Sequence, residues 1–227
     1  MKDLLTSPMF GIIVSILAYE IGLFLNRKTK LPIFNPLLVG IIIVVLFLKL
    51  FKIDVEFYNI GGDYISMFLA PATVILAVPL YKQINVLKKN FLQIIVGITV
   101  GCLTSISTVY LSTQLLGMRH DVGRSLIPKS ITTPVGMQVS KQIGGIPSIT
   151  VAAIIITGII GAIVAPIVCK VFKIHDGVAR GIAIGTASHA VGTSKAMEMG
   201  EIEGAMSGLS IGIAALMTVI ITTVLFK

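Results

Sequence analysis

The chain has 227 residues, 55 % of them hydrophobic and 12 % charged, with a formal net charge of +8. Soluble domains carry about a quarter charged residues, so 18 basic and 10 acidic side chains are too few to coat a soluble globule of this length. The second solvent is lipid. The cations sit in short gaps between apolar runs and form no stripe, which excludes nucleic acid as the expected partner.

A helix needs about 20 mostly apolar residues to cross the hydrocarbon. In chain order, the opening MKDLLTSPMFG lacks a positive n-region followed by a small-residue cleavage site, so the first apolar run, about 8–26, is expected to be retained. Glu20 lies inside that run and is an intramembrane carboxylate by default, although its place near the run's end favours an interfacial position. A second run covers about 34–51. The next apolar stretch, 68–80, is broken by Pro71 and Pro79 and carries Thr73. A clean run follows at about 91–116. Residues 127–136 are broken again, with Lys129, Ser130, Thr132 and Thr133 held between Pro128 and Pro134. Proline removes a donor and disfavours helical geometry in the residue before it, so an open turn is expected there. The run at 146–169 carries Pro166 near its end. Residues 181–195 follow, where Thr186, Ser188, His189, Thr193 and Lys195 alternate with Gly181, Gly185 and Gly192. The last run is 203–226.

These elements predict an all-α polytopic membrane protein forming one integral membrane domain. Sliding the chain by 115 residues places Ala72 on Ala187, Thr73 on Ser188 and Gly97 on Gly212. The expected organisation is therefore two repeats, about 1–116 and 117–227, inverted with respect to each other, with broken or re-entrant helices meeting near the midplane. Two topologies remain open. If 68–80 and 181–195 re-enter, the chain crosses six times and Arg119–Arg124 shares the cytoplasmic side with Lys170–Arg180. If every segment crosses, there are eight spans and Lys82–Lys89 lies inside. The six-crossing arrangement is preferred.

Irregular backbone at membrane depth survives only where protein or a water-filled cavity surrounds it. Half-helix N-termini at such breaks present free N–H groups and partial positive charge. Two lysines, a histidine and several hydroxyls, with few acids nearby, suit a small carboxylate better than a metal or a sugar. The candidate substrate-binding residues are Pro71, Thr73, Lys129, Ser130, Thr132, Thr133, Thr186, Ser188, His189, Thr193 and Lys195. Hydroxyls in membrane helices also bond their own backbone and glycines also serve packing, His189 is equally readable as a proton-sensing group or a satisfied buried ring, and Lys195 is able to snorkel to the interface. No metal site, cofactor or catalytic residue is expected. Cys102 and Cys169 lie in apolar runs with no CxxC or Cys/His cluster, and there is no GxSxG, HExxH or Walker loop.

The runs Leu69–Tyr81 (LAPATVILAVPLY), Pro128–Pro134 (PKSITTP), Gln142–Ser148 (QIGGIPS), Ala179–Thr193 (ARGIAIGTASHAVGT) and Glu201–Gly208 (EIEGAMSG) carry a resemblance to the LrgB/CidB family of bacterial membrane proteins. It spans essentially the whole chain. The resemblance implies a multi-pass protein of the bacterial cell membrane and two different activities. One is transport of small monocarboxylates of the pyruvate, glycolate, glycerate and lactate class, since the plastidal glycolate/glycerate translocator looks like an LrgA-type part fused to an LrgB-type part. The other is an antiholin-like or holin-like control of murein hydrolase activity, autolysis and programmed cell death. Either implies the lipid bilayer and a small LrgA/CidA-type membrane protein as partners. A homo-oligomer is expected; glycine faces such as Gly158 with Gly161 and Gly204 with Gly208 allow close helix contacts, whether within the chain or with a second copy. Transport is the preferred reading, because a membrane lesion does not require ordered half-helices lined with hydroxyls.

Overall fold

The computed structural model describes residues 6–29, 34–68, 71 and 77–226, and the secondary structure among them is helical. The chain falls into two compact units, residues 1–75 and 76–227. Four helices are long and apolar enough to cross a membrane: Pro8–Thr29, Phe91–Leu115, Pro147–Val171 and Glu201–Leu225.

The first unit contains α1 (Pro8–Thr29), α2 (Pro36–Leu50) and α3 (Val55–Ser66). Asn35 starts α2, its side chain accepting from the N–H groups of Leu37 and Leu38 at 2.9 and 3.3 Å while Pro36 occupies a first-turn position that needs no donor. Gly11 and Gly61 let the backbones of α1 and α3 touch: a Cβ on Gly11 would strike the Tyr58 carbonyl, and one on Gly61 the Pro8 carbonyl. The Ser15 and Tyr58 hydroxyls join the same pair at 2.7 Å. Because α1 continues to Thr29, Glu20 is an exposed residue some two and a half turns from its end.

The second unit runs α4 (Ala77–Lys82), α5 (Ile84–Lys89), α6 (Phe91–Leu115), α7 (His120–Leu126), α8 (Thr133–Gln142), α9 (Pro147–Val171), α10 (Gly177–Met199) and α11 (Glu201–Leu225). Helices α6 and α11 lie side by side and run the same way. Cys102 Sγ approaches the Ala214 carbonyl at 3.7 Å, and nearer their ends the rings of Tyr110 and Phe226 meet at 6.1 Å. These are the two spans that the 115-residue slide equates, so this pair does not carry the inversion expected from the sequence.

Two segments of the unit reverse direction. Residues 120–131 run inward from the end where α6 finishes, with Gly123 against Thr113. The chain then turns, and α8 returns outward. Ser125 and Ser140, on opposite arms, are tied by Thr150 of α9, whose hydroxyl donates to the Ser125 carbonyl at 2.8 Å and sits 2.7 Å from Ser140 Oγ. Ile146 N–H donates to Ser125 Oγ at 2.6 Å, and Gly145 has no room for a Cβ between the two serines. All three hydroxyl residues are fully buried, so the hydrogen bonds satisfy groups that would otherwise cost about 1–3 kcal/mol each.

The second reversal lies inside α10. His189 has φ 41° and ψ −140°, a left-handed φ that non-glycine residues rarely adopt. Before it, Gly97 of α6 faces Ile182 and Gly101 faces Thr186, so the first arm travels with α6. After it, Thr193 bonds Ser207 at 2.7 Å and Met197 packs on Gly204, so the second arm comes back along the start of α11. Gly192 then lies against Ile184, eight residues earlier, a contact a straight helix would forbid at about 1.5 Å rise per residue. Glycine makes the close pairing with α11 possible. A Cβ on Gly185 would meet the Ser207 carbonyl and, at 2.8 Å, the Ser207 Cα and Ser210 Cβ. Gly185→Ala is expected to destabilise the unit by about 2 kcal/mol through overpacking, whereas Gly212→Ala, with nothing within 4 Å of its Cβ position, is expected to leave thermal unfolding in detergent unchanged.

This path corrects the preferred topology. Since 120–142 turns back, Arg124 stays beside Gly144 near the start of α9, while Lys170 sits at the far end of that 25-residue helix. Arg119–Arg124 and Lys170–Arg180 therefore occupy opposite ends of the unit and do not share a face. The prolines and paired hydroxyls of 128–134 explain why no single span forms there.

Candidate functional site

Each reversal places a hydroxyl-bearing residue against the middle of α6. Ser130, at the inner end of the first, shares a 3.1 Å hydrogen bond with Ser105 of α6. Thr186, one residue pair before the second, packs where a Cβ on Gly101 would come within 2.9 Å of Thr186 Cγ2. Positions 101 and 105 share one face of α6, one turn and about 6 Å apart, and they bracket the centre of that 25-residue helix. The tip of α10 rests on the middle of α9: His189 Nε2 is 3.0 Å from the Ile154 carbonyl, a Cβ on Gly158 would lie 2.7 Å from His189 Cε1, and Gly161 faces Ser188. Gly158 and Gly161 are thus used within the chain, where the sequence alone allowed a second copy.

Lys129 is half-buried and donates through Nζ to Ser130 Oγ at 3.3 Å. Beyond Ser130, Thr132 caps α8 and Thr133 opens it; no side chain caps that end, and Pro134 removes one of its N–H groups. The remaining donors and the positive end of a ten-residue helix face the tip. On the other reversal the backbone carbonyl of His189 accepts from Thr193 Oγ1 at 2.9 Å, which starts the returning arm. Ser130, Thr186, Ser188 and His189 are each at most 8 % exposed. One atom stands out: Thr186 Oγ1 is buried and has no hydrogen-bond partner among the described residues. An unsatisfied buried hydroxyl costs about 1–3 kcal/mol and calls for an occupant that accepts or donates.

The candidate residues divide accordingly. Lys129, Ser130, Thr132 and Thr133 gather at one tip, and Thr186, Ser188 and His189 at the other. Thr193 is buried but spends its hydroxyl on His189 and Ser207. Lys195 is not at the tip. It lies farther out on the returning arm and pairs with Glu198 at 2.7 Å, as a lysine near an interface does. Pro71 is exposed, and Thr73 lies outside the described residues. Ser105 and Gly101 were missed by the sequence reading. Their signal was present in the hydroxyl-rich run Thr104-Ser105-Ile106-Ser107-Thr108 inside an otherwise clean span. Among the described residues there is no cluster of His, Cys, Asp and Glu able to hold a metal ion.

The sequence profile of the LrgB-like family matches residues 15–227. The chain belongs to the LrgB-like family. It is 39 % identical over 216 residues to the antiholin-like protein LrgB of Bacillus mycoides (strain KBAB4), covering 95 % of this chain and 94 % of that protein. The LrgB-named proteins of Bacillus cereus (strain B4264) and Bacillus anthracis (strain CDC 684 / NRRL 3495) match to the same identity and coverage. No solved structure matches the chain. Membership in the LrgB-like family, together with the four apolar helices, places the chain as a multi-pass protein of the bacterial membrane.

Proposed function

We propose that the chain serves the antiholin-like role carried by its relatives' names, and that its molecular act is the binding and passage of a small monocarboxylate at the hairpin tips. The first part is supported by 39 % identity across 95 % of the chain. In that role it influences murein hydrolase activity and autolysis at the membrane together with a small LrgA/CidA-type partner. The second part is carried by one observation: two reversals entering from opposite ends meet the same face of α6 at mid-height, with the Thr186 hydroxyl buried and without a partner among the described residues.

The units 120–171 and 177–225 are each a hairpin followed by a long helix, and we read them as an inverted, re-entrant pair. A carboxylate between the tips would take charge from Lys129, hydrogen bonds from Ser130 and Thr186, and the free N–H groups at the start of α8. His189 and Ser188 shape the other wall. The substrate class follows from sign and donor number: one lysine with two hydroxyls and a few backbone N–H groups suits a small monocarboxylate.

Proteoliposomes holding the purified protein, with and without its small partner, test this directly. Saturable flux of labelled pyruvate, glycolate or lactate, with retention of a trapped neutral dye, is the expected result. Release of the dye together with collapse of the membrane potential would instead mean a lesion-forming oligomer, and the carrier reading would be lost.

A further inference from the structure

A cleft of about 640 Å³ opens at the end where α6 and α11 both finish. Ser107 and Gln114 of α6 line its wall, Arg119 and Arg124 its mouth, and Ile106 and Ile127 its inner end. Those two isoleucines are 3 % and 2 % exposed and belong to one buried cluster. Ile106 follows Ser105 directly, and Ile127 lies two residues before Lys129. The inner end of the cleft is therefore formed by buried aliphatic side chains whose chain neighbours, Ser105 and Lys129, belong with Ser130 to one hydrogen-bonded cluster. A smaller cleft of about 150 Å³ lies beside Lys82 and Gly200 at the opposite end.

The charges at the mouth are not equivalent. Arg119 is tied to Asp121 through two hydrogen bonds, and its guanidinium holds the Asp121 carboxyl below the usual carboxylate range. Arg124 has no carboxylate partner among the described residues; its guanidinium lies beside Gly144. Among the described residues, the positive charge at the mouth without a carboxylate partner is that of Arg124, and a cleft with low-dielectric walls focuses such a field.

We propose that this cleft is a water-filled vestibule that concentrates small organic anions through Arg124, and that Ile106 and Ile127 are the gate between it and the hairpin tips. The inference rests on the carrier reading for the identity of the anion, but its geometry is testable without any substrate. A gate of two branched aliphatic side chains closes by excluding water and opens with a small shift of either arm.

The test uses the full-length protein in membranes, with Cys102 and Cys169, both buried, changed to alanine. Gln114→Cys and Ser107→Cys are exposed positions on the wall. They are expected to react severalfold faster with an anionic sulfonatoethyl methanethiosulfonate than with its cationic trimethylammonium counterpart, each rate scaled to a free thiol. Arg124→Gln is expected to erase that preference, and Asp121→Asn, which releases the charge of Arg119, to increase it. Ser130→Cys is expected to stay protected alone and to become labelled when Ile127→Ala is added. Wall cysteines that react only with a membrane-permeant maleimide would mean that lipid fills the cleft, and the vestibule would be overturned. Protection of Ser130→Cys in the Ile127→Ala chain would overturn the gate. Flux with unreactive wall cysteines removes the vestibule and leaves the carrier reading. Charge-selective labelling with no flux of any acid removes the carrier reading and leaves the vestibule.

Discussion

Lys129→Ala is expected to abolish saturable uptake of small monocarboxylates while leaving the protein folded. Removing one partner of a buried, hydrogen-bonded charge pair costs about 2–5 kcal/mol, at least roughly a 30-fold loss of affinity. In the unliganded protein the lysine has a single weak contact, the 3.3 Å hydrogen bond to Ser130 Oγ, and it is only half-buried. Its loss therefore leaves no buried charge stranded, and monodisperse elution and thermal unfolding should match the wild type. Lys129→Arg keeps the charge but replaces a compact ammonium by a planar fork, so partial uptake with an altered preference among acids is expected. Unchanged uptake in Lys129→Ala, in membranes carrying normal amounts of the protein, removes the lysine from the site.

Thr186→Val is expected to separate stability from function. The substitution keeps the shape and removes only the hydroxyl, which is buried without a partner among the described residues. Deleting an unsatisfied buried group should stabilise the unliganded protein by up to about 1–3 kcal/mol, read as a rise in the midpoint of thermal unfolding in detergent. The same change takes a hydrogen bond from the bound acid and should raise the half-saturation concentration about fivefold or more. A merely structural threonine would lower the unfolding midpoint and leave the half-saturation concentration unchanged. Thr193→Val supplies the contrast, since its hydroxyl already bonds Ser207 and the His189 carbonyl; it should lose stability.

The strain at His189 belongs to the same picture. A left-handed φ on a bulky residue costs on the order of 1–3 kcal/mol and persists only where its surroundings fix it. Here the ring is held by the Ile154 carbonyl, the backbone carbonyl accepts from Thr193, and Gly158 leaves the space. These contacts account for the reversal as a built feature of the fold.

Much of this molecule was legible in its residues. The scarcity of charge, the apolar runs of spanning length and the breaks at 127–136 and 181–195 are local properties, set by side-chain solvation and by proline and glycine chemistry, and they needed no partner segment to be read. Most of the hydroxyl candidates were legible for the same reason. What each break does to the path of the chain was not. A proline or a glycine announces that a helix is interrupted, but whether it kinks onward or turns back depends on contacts far away in sequence: Thr150 fastening Ser125 to Ser140, and Gly185 and Gly204 admitting α11 against both arms of α10. The same holds for Lys195, drawn to Glu198 at the rim, and for Ser105, an unremarked hydroxyl until Ser130 is laid against it. Composition and periodicity fix what solvent each segment accepts; only close packing between distant segments fixes direction, and direction is what brought Ser130 and Thr186 to the same face of α6.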